Sequence, residues 1–160
     1  MSGELSDSPA IVACVDDFGL SPAVNRSVLS LAREHRISAT SCLVNLPDCT
    51  PQAMSELPSL DLDLGLHLNF TEGAPLSRRL RNAWPKFPSL GRLLVASHLG
   101  RLPVTGVQDE CRAQLERFVQ LVGRAPDFVA ALPSVRASGD PAVIHGMSAP
   151  PVRPAMPRAV

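Results

Sequence analysis

The sequence predicts an α/β fold, and three observations favour it. The apolar run from Ile11 to Val15 carries no charge, which is typical of a strand covered on both faces. Leu62 to Asn69 alternates apolar and polar residues with the period of a strand. Segments with helical spacing separate these strands, and 160 residues are enough for one globular domain.

The first strand ends in two adjacent carboxylates, Asp16 and Asp17, before Phe18 and Gly19. Parallel α/β folds carry their chemistry at the C-terminal ends of strands, where the following loops converge. Because successive side chains of an extended strand point to opposite faces, we expect the two carboxylates to have different roles. A simpler interpretation is that Asp17 or Ser21 caps the next helix, which leaves the second charge unexplained.

Cap signals and a β-prone run predict the next elements. Ser21-Pro22 begins a helix that continues to about His35, with serine as the cap and proline in the first turn. Ser38 to Val44 is β-prone, and Thr50-Pro51 then begins a short helix toward Leu57. The chain therefore alternates strand and helix.

The third strand, Leu62 to Asn69, is amphipathic. Its leucines fall on one side, and Asp63, Gly65, His67 and Asn69 fall on the other. The polar side of this strand can therefore face the same crevice as the acidic pair.

The rest of the chain carries weaker signals. They predict a loop at Thr71–Pro75, a solvated basic stretch at Arg78–Arg81, a helix at Ser89–Leu99, a helix at Val107–Val122 and a strand beginning at Asp127–Ala130. The longest helix has an apolar stripe formed by Val107, Cys111, Leu115, Phe118, Val119 and Val122. Thr105 and Gln108 fit a capping box at its start, and Gly123 fits a stop at its end.

Composition excludes several classes of partner. The formal net charge is zero and the chain has no Tyr and one Trp, so we expect no nucleic-acid partner. No apolar run reaches membrane-spanning length, and we expect no membrane span. The four cysteines (Cys14, Cys42, Cys49 and Cys111) lack the paired spacing of a zinc site. They therefore predict reduced core thiols in a cytoplasmic protein.

Four segments of the chain carry a family resemblance. They are VDDFGLSPAVN (Val15–Asn25), TSCLVN (Thr40–Asn45), GLHLNFTEGAPLS (Gly65–Ser77) and ECRAQLERFVQLVGRAPDFV (Glu110–Val129). In order and spacing they resemble the YdjC-like, or ChbG/HpnK-type, carbohydrate deacetylases. The resemblance covers about residues 11–129 and implies the N-terminal part of an irregular (β/α) barrel of the glycoside hydrolase/deacetylase type.

The resemblance also implies site roles. Asp16 would be the catalytic base, and Asp17 and His67 would bind a divalent metal that activates water and polarises the acetamide carbonyl. Without the resemblance, His67 would be interpreted as an ordinary hydrogen-bonded histidine. Asn45, Asn69 and Thr71 are polar residues at strand ends that we expect to orient the substrate.

The implied substrate is an N-acetylated carbohydrate, which leaves open a chitooligosaccharide, another amino sugar or a glycosylated lipid. The implied metal is most simply Mg²⁺, because carboxylate and water are its usual ligands. An imidazole ligand also suits Zn²⁺.

The chain departs from the family pattern after Val129. Family members carry a His-x-His-x-His strand there, whereas this chain continues with Ala130, Ala131 and Leu132. We therefore predict an N-terminal extension (1–10), a partial deacetylase-like domain (11–130) and a Pro-rich, disordered tail (131–160), as in a truncated barrel. Such a barrel would have a free sheet edge that favours self-association, and a weak metal site.

Two alternatives remain open at this point. The chain could be a catalytically inactive fragment of such an enzyme. It could also be a phosphoacceptor receiver-like domain, which likewise begins with a strand ending in an acidic pair. A receiver needs a further Asp and a Lys near its site, whereas Lys86 is the one lysine here and precedes Phe87-Pro88 in a loop.

Overall fold

A computed structural model describes residues 12–131 of the chain. Their strands are β1 (Cys14–Phe18), β2 (Ala39–Cys42), β3 (Asp63–Leu68) and β4 (Phe128–Ala131). Their α-helices are α1 (Pro22–Arg33), α2 (Pro51–Met54), α3 (Arg78–Ala83), α4 (Leu90–His98) and α5 (Val104–Val122), with a 3₁₀ turn at Leu57–Ser59.

The four strands form one parallel sheet in the order β1-β2-β3-β4. This confirms the α/β class, and the strand at the end of the described residues is the fourth strand that the sequence predicts. Ala131, assigned to the tail by the sequence, is the last residue of β4. The N-terminal extension and the rest of the tail lie outside the described residues.

The hydrophobic core lies between one face of the sheet and the helices. Leu64, Leu66 and Leu68 of β3 point into it, as their alternation predicts, and Val28 of α1 and Phe118 of α5 pack against them. The opposite face carries Asp16, Ser41 and His67, together with the Phe128 ring, which covers Gly65.

The structure corrects the prediction that the first strand is covered on both faces. Val15 packs against the core, but Cys14 and Asp16 are exposed. In residues 12–131, β1 is an edge strand that pairs with β2 alone, so its outward side chains have little to cover them.

The helix signals are correct in some places and wrong in others. Ser21 and Thr50 cap α1 and α2 by accepting the backbone N–H of Val24 and Ala53. Gly123 ends α5 in the left-handed region, at φ 82°. However, α5 begins at Val104 without a side-chain cap, so the predicted capping box is wrong.

The basic stretch differs from prediction, and the apolar stripe of the long helix differs from it in part. Residues 78–81 belong to α3, whose Leu80 is fully buried, so this stretch is amphipathic rather than merely solvated. The buried side of α5 consists of Gly106, Glu110, Gln114 and Phe118. Of the predicted apolar stripe, Phe118 lies in the core, and Cys111, Leu115 and Val122 pack against it. The stripe is therefore confirmed in part, but Val119 is exposed and buried polar side chains share the interface.

Candidate functional site

The C-terminal end of β1 has an irregular backbone. The pairing register with β2 shifts between Val15 and Phe18, and Asp17 lies in the left-handed region at φ 70°. Asp tolerates this region better than most residues, but such conformations are uncommon and are concentrated at functional sites. The irregularity turns Asp17 toward the same crevice as Asp16, so the prediction that the two carboxylates face opposite sides is wrong.

Side chains from three adjacent strands meet at this point. The Ser41 hydroxyl of β2 donates to Asp16 Oδ1 at 2.7 Å and lies 2.9 Å from His67 Nδ1 of β3. His67 Nδ1 is also 3.4 Å from Asp17 Oδ1. We call Asp16, Asp17, Ser41 and His67 the carboxylate–histidine cluster. The structure thus brings together the three residues that the sequence assigned to catalysis and metal binding.

Ser41 is the member of the cluster that sequence reasoning missed. It is fully buried, and its register partner on β3 is Gly65, two residues before His67. The available signal was a hydroxyl residue inside a β-prone run, but Thr40 gives the same signal. The two differ because Thr40 points to the core side and donates to Val15 O, and the sheet register decides which hydroxyl faces the acids.

Cys14 is a further neighbour of Asp16. Its sulfur lies 3.6 Å from Asp16 Oδ1. Partial desolvation of the thiol, together with the charge and hydrogen bonding of Asp16, raises the pKa of Cys14 to about 11. The prediction that all four cysteines are core thiols is therefore wrong for Cys14, which is exposed, whereas Cys42 and Cys49 are buried.

Asp17 and His67 offer a carboxylate oxygen and an imidazole nitrogen, which are donors used by Mg²⁺ and Zn²⁺ sites. Within residues 12–131, no group of three or more His, Cys, Asp or Glu side chains is arranged to hold a metal ion. The donor chemistry of the cluster therefore fits part of a coordination shell. Water, or groups outside the described residues, would supply the remainder.

The three polar residues predicted to contact substrate form a separate network beside the cluster. Asn69 Oδ1 accepts the backbone N–H groups of Thr71 and Glu72, each at 3.0 Å. Asn69 Nδ2 donates to Asn45 Oδ1 and to Glu72 O. Both amide hydrogens of Asn69 are thus used inside the protein. Asn69 shapes the loop that carries Thr71, and a substrate-binding role for these residues stays a prediction.

Helix α5 holds the same loop through two fully buried polar side chains. Gln114 Oε1 accepts Asn69 N–H at 3.0 Å, and Gln114 Nε2 donates to Asn69 O at 2.7 Å. Glu110 accepts the backbone N–H groups of Leu76 and Ser77 at 3.0 and 2.7 Å. Sequence reasoning missed both residues because helical periodicity does not distinguish a buried polar contact from a solvated one.

Hydrogen bonds of the Asn25 side chain hold the loop that follows β1. Asn25 Oδ1 accepts the backbone N–H of Gly19 at 2.6 Å, and Asn25 Nδ2 donates to Asp48 O at 3.0 Å. Gly19 has φ 97°, and a Cβ there would lie 2.7 Å from Cys49 Cβ. Glycine is therefore required at the turn that follows the acidic pair.

Comparison with known proteins gives a family match and several relatives. The sequence model of the family described as YdjC-like protein matches residues 10–131. A chitooligosaccharide deacetylase of Proteus mirabilis is 33% identical over 128 residues, which are 74% of this chain and 47% of that protein. A carbohydrate deacetylase of Danio rerio is 31% identical over 137 residues, which are 79% of this chain and 44% of that protein.

The chain therefore spans less than half the length of these curated relatives. Among solved structures, a protein of Enterococcus faecalis named for cellobiose-phosphate cleavage has a TM-score of 0.65 and 22% identity. The match covers 80% of this chain and 50% of that one, and it shows a shared fold. Within residues 12–131, no helix combines the length and apolar character needed to cross a membrane.

Proposed function

The chain belongs to the YdjC-like protein family, and from this premise we propose that it carries part of the site of a metal-dependent carbohydrate deacetylase. The reaction would be hydrolysis of an acetamide on an amino sugar, such as a chitooligosaccharide. In this proposal the four parallel strands are consecutive strands of an irregular (β/α) barrel. The observation that carries the proposal is the carboxylate–histidine cluster, in which Ser41 joins Asp16 to His67 beside Asp17.

The proposed chemistry divides between the two carboxylates. A divalent metal held by Asp17 and His67 would lower the pKa of a bound water and polarise the acetyl carbonyl. Asp16 remains outside that pair, is exposed, and is hydrogen-bonded through Oδ1 by Ser41. It is therefore the group available to accept the proton of the attacking water.

The loop after β3 is the proposed substrate-facing element. Asn69 and Gln114 fix its start, and Glu110 fixes its end at Leu76 and Ser77. A loop held at both ends presents Thr71 in one place, which reduces the entropy lost when substrate binds. Mg²⁺ is the metal we favour for a site with a carboxylate and water, and Zn²⁺ is the alternative for its imidazole ligand. The predicted cytoplasmic location is consistent with four free cysteines.

The proposal is tested by acetate release from an N-acetylated chitooligosaccharide with added Mg²⁺ or Zn²⁺. We expect metal-dependent release that Asp16→Asn abolishes. Asp109→Asn is the matched control, because it makes the same carboxylate-to-amide change at a surface residue. Asp109 pairs with Arg79 and Arg112 there. Release that persists in Asp16→Asn would contradict the assignment of the base.

A catalytically inactive chain is the second candidate. It is favoured by the incomplete donor set in residues 12–131 and by the coverage of less than half of the curated relatives. In that case neither the wild type nor Asp16→Asn would release acetate, although calorimetry would still detect weak metal binding. The receiver-like alternative is not favoured, because the family match extends over residues 10–131.

A further inference from the structure

Helix α4 has an apolar face that the described part of the chain leaves uncovered. Val95 and Leu99 lie one helical turn apart on this face and are exposed at 59% and 58%. A shallow cavity of about 330 Å³ runs along the face and is lined by Gly91, Arg92, Val95, Ala96, Leu99 and Arg101. The face is therefore a recessed apolar surface with an arginine at each side.

A second shallow cavity, of about 440 Å³, continues from the first one. Its lining includes Trp84, Lys86, Phe87, Arg92 and Ala96. Because Arg92 and Ala96 line both cavities, the two form one continuous depression, which we call the α4 groove. No member of the carboxylate–histidine cluster lines the α4 groove, so it is separate from the candidate catalytic site.

The α4 groove is also basic. Lys86, Arg92 and Arg101 are exposed, and no ion pair within residues 12–131 includes any of them. Residues 73–108, which contain the whole groove, include six Lys or Arg residues and no Asp or Glu, although the formal net charge of the chain is zero. Positive charge is thus concentrated on the same surface as the exposed apolar side chains.

We propose that the α4 groove binds the surface of a lipid bilayer that contains anionic lipids. Apolar side chains of a helix that lies on a bilayer enter the boundary between headgroups and acyl chains, while Lys and Arg attract the lipid phosphates. Val95 and Leu99 supply the apolar contact, and the three unpaired cations supply the charge. Trp84 suits the same boundary, where indole rings are enriched.

Charge disfavours two other occupants of the α4 groove. A second copy of this chain, docked through the same surface, would set Arg92 and Arg101 against the arginines of its partner. Residues 132–160 contain three arginines and one aspartate, so this segment has the same sign of charge as the groove. An anionic bilayer has the opposite sign. The proposal does not depend on the deacetylase function, since the groove and the cluster share no residue.

Trp84 is the one tryptophan of the chain and lines the groove, so its fluorescence reports occupancy directly. We expect vesicles of phosphatidylcholine with phosphatidylglycerol to shift its emission to shorter wavelength and to sediment with the full chain. Added salt should weaken this binding, because it screens the cations. Absence of a shift with anionic vesicles would overturn the proposal, as would an equal shift with phosphatidylcholine alone or with soluble glycerol phosphate.

Charge variants test the placement of the site. Arg92→Gln combined with Arg101→Gln should weaken vesicle binding about 30-fold, since each basic residue near an anionic surface contributes about fivefold in affinity. Arg26→Gln combined with Arg36→Gln is the matched control, because both arginines are exposed and lie outside the groove. We expect this control to bind like the wild type, and equal binding by the two double variants would overturn the proposal.

Apolar variants test the helix face itself. Val95→Ser combined with Leu99→Ser should abolish the Trp84 shift with anionic vesicles. Val119→Ser on α5 is the control, because Val119 is also exposed and lies outside the groove. Wild-type binding by the Val95 and Leu99 variant would overturn the role of the face. If a groove variant fails to fold, the comparison of anionic with neutral vesicles on the wild type still decides the proposal.

Measurements without vesicles separate the other occupants. A Trp84 shift that grows with protein concentration would assign the groove to a second copy of the chain. Residues 1–11 carry the acidic side chains Glu4 and Asp7. If this segment filled the groove, Glu4→Gln combined with Asp7→Asn would change Trp84 emission in the free protein. We expect neither change, and either one would overturn the proposal.

Discussion

Asp17 combines a functional side chain with a backbone conformation that few residues adopt. At φ 70° it lies in the left-handed region, where a non-glycine residue costs about 1–2 kcal/mol, less for Asn and Asp. The irregular backbone is what turns its carboxylate toward His67. A residue at this position must therefore tolerate the left-handed backbone conformation and also supply the carboxylate that faces His67.

The first prediction separates those two requirements. Asp17→Asn should change the free energy of unfolding by less than about 0.5 kcal/mol, because Asn also accepts the left-handed region. Asp17→Ala should be less stable than Asp17→Asn by about 1 kcal/mol. Urea denaturation measures both, and equal stability of the two variants would show that the backbone at Asp17 is not strained.

The second prediction concerns the Cys14 thiol. Desolvation, with the Asp16 charge and hydrogen bond, raises its pKa to about 11, so the reactive thiolate forms only as pH rises toward that value. Asp16→Asn removes the charge, lowers the pKa of Cys14 and should speed its alkylation by iodoacetamide at pH 9. Asp109→Asn should leave the rate unchanged, and an unchanged rate in Asp16→Asn would mean that Asp16 does not act on the thiol.

At the scale of elements, Gly65 of β3 and Asp127, the residue before β4, determine how these two strands pack and pair. The Phe128 ring lies over Gly65, where an added Cβ would be 2.4 Å from Phe128 Cε2 and Cζ. Asp127 pairs with Leu64 twice, since its N–H donates to Leu64 O and its Oδ2 accepts Leu64 N–H, each at 2.8 Å. These contacts fix the register of the two strands.

The third prediction tests the contact between Gly65 and Phe128. Gly65→Ala should destabilise the protein by about 1–3 kcal/mol, because the methyl group has no room beneath the ring. Phe128→Ala should make the same Gly65→Ala change nearly neutral. Thermal denaturation of the four proteins forms a double-mutant cycle, and simple additivity would argue against the close contact.

The fourth prediction tests the Asp127 contact through pH. Burial opposes ionisation of Asp127, but hydrogen bonds from Arg124 and Leu64 outweigh it and lower its pKa. Because the folded pKa is depressed, the stabilisation is present at neutral pH and is lost as pH falls below about 4. Asp127→Ala should therefore cost about 1 kcal/mol at pH 7 and less at pH 3.5, as urea denaturation would measure.

Arg124→Ala is the control for that experiment. It removes an exposed partner of Asp127 and leaves the bond to Leu64, so it should cost less than about 0.5 kcal/mol. A cost for Asp127→Ala that does not change between pH 7 and pH 3.5 would contradict a role for its charge.

At the scale of the whole molecule, the described residues form an open parallel sheet with a free edge at β1 and another at β4. The unpaired N–H and C=O groups along an exposed strand edge can pair with a strand of another chain. Val12 and Val129, near these two edges, are also exposed at 65% and 40%. The sequence-based expectation of self-association stays a prediction.

The fifth prediction follows from the free edges. Light scattering after size-exclusion chromatography should give a mass that rises with protein concentration. Val129→Lys should reduce this rise, because a charged side chain on an edge strand opposes pairing. A monomer at every concentration in both proteins would contradict association through the sheet.

The sequence by itself determined what depends on near neighbours: the order of the strands and of every α-helix except α3, the caps at Ser21 and Thr50, and the acidic pair at a strand end. The tertiary structure decided what depends on strand pairing. It exposed Cys14, placed Ser41 rather than Thr40 beside His67, and turned Asp16 and Asp17 to one crevice. The physical reason is that periodicity and capping act within a few residues, whereas sheet register joins side chains about 25 residues apart, as for Asp16 and Ser41.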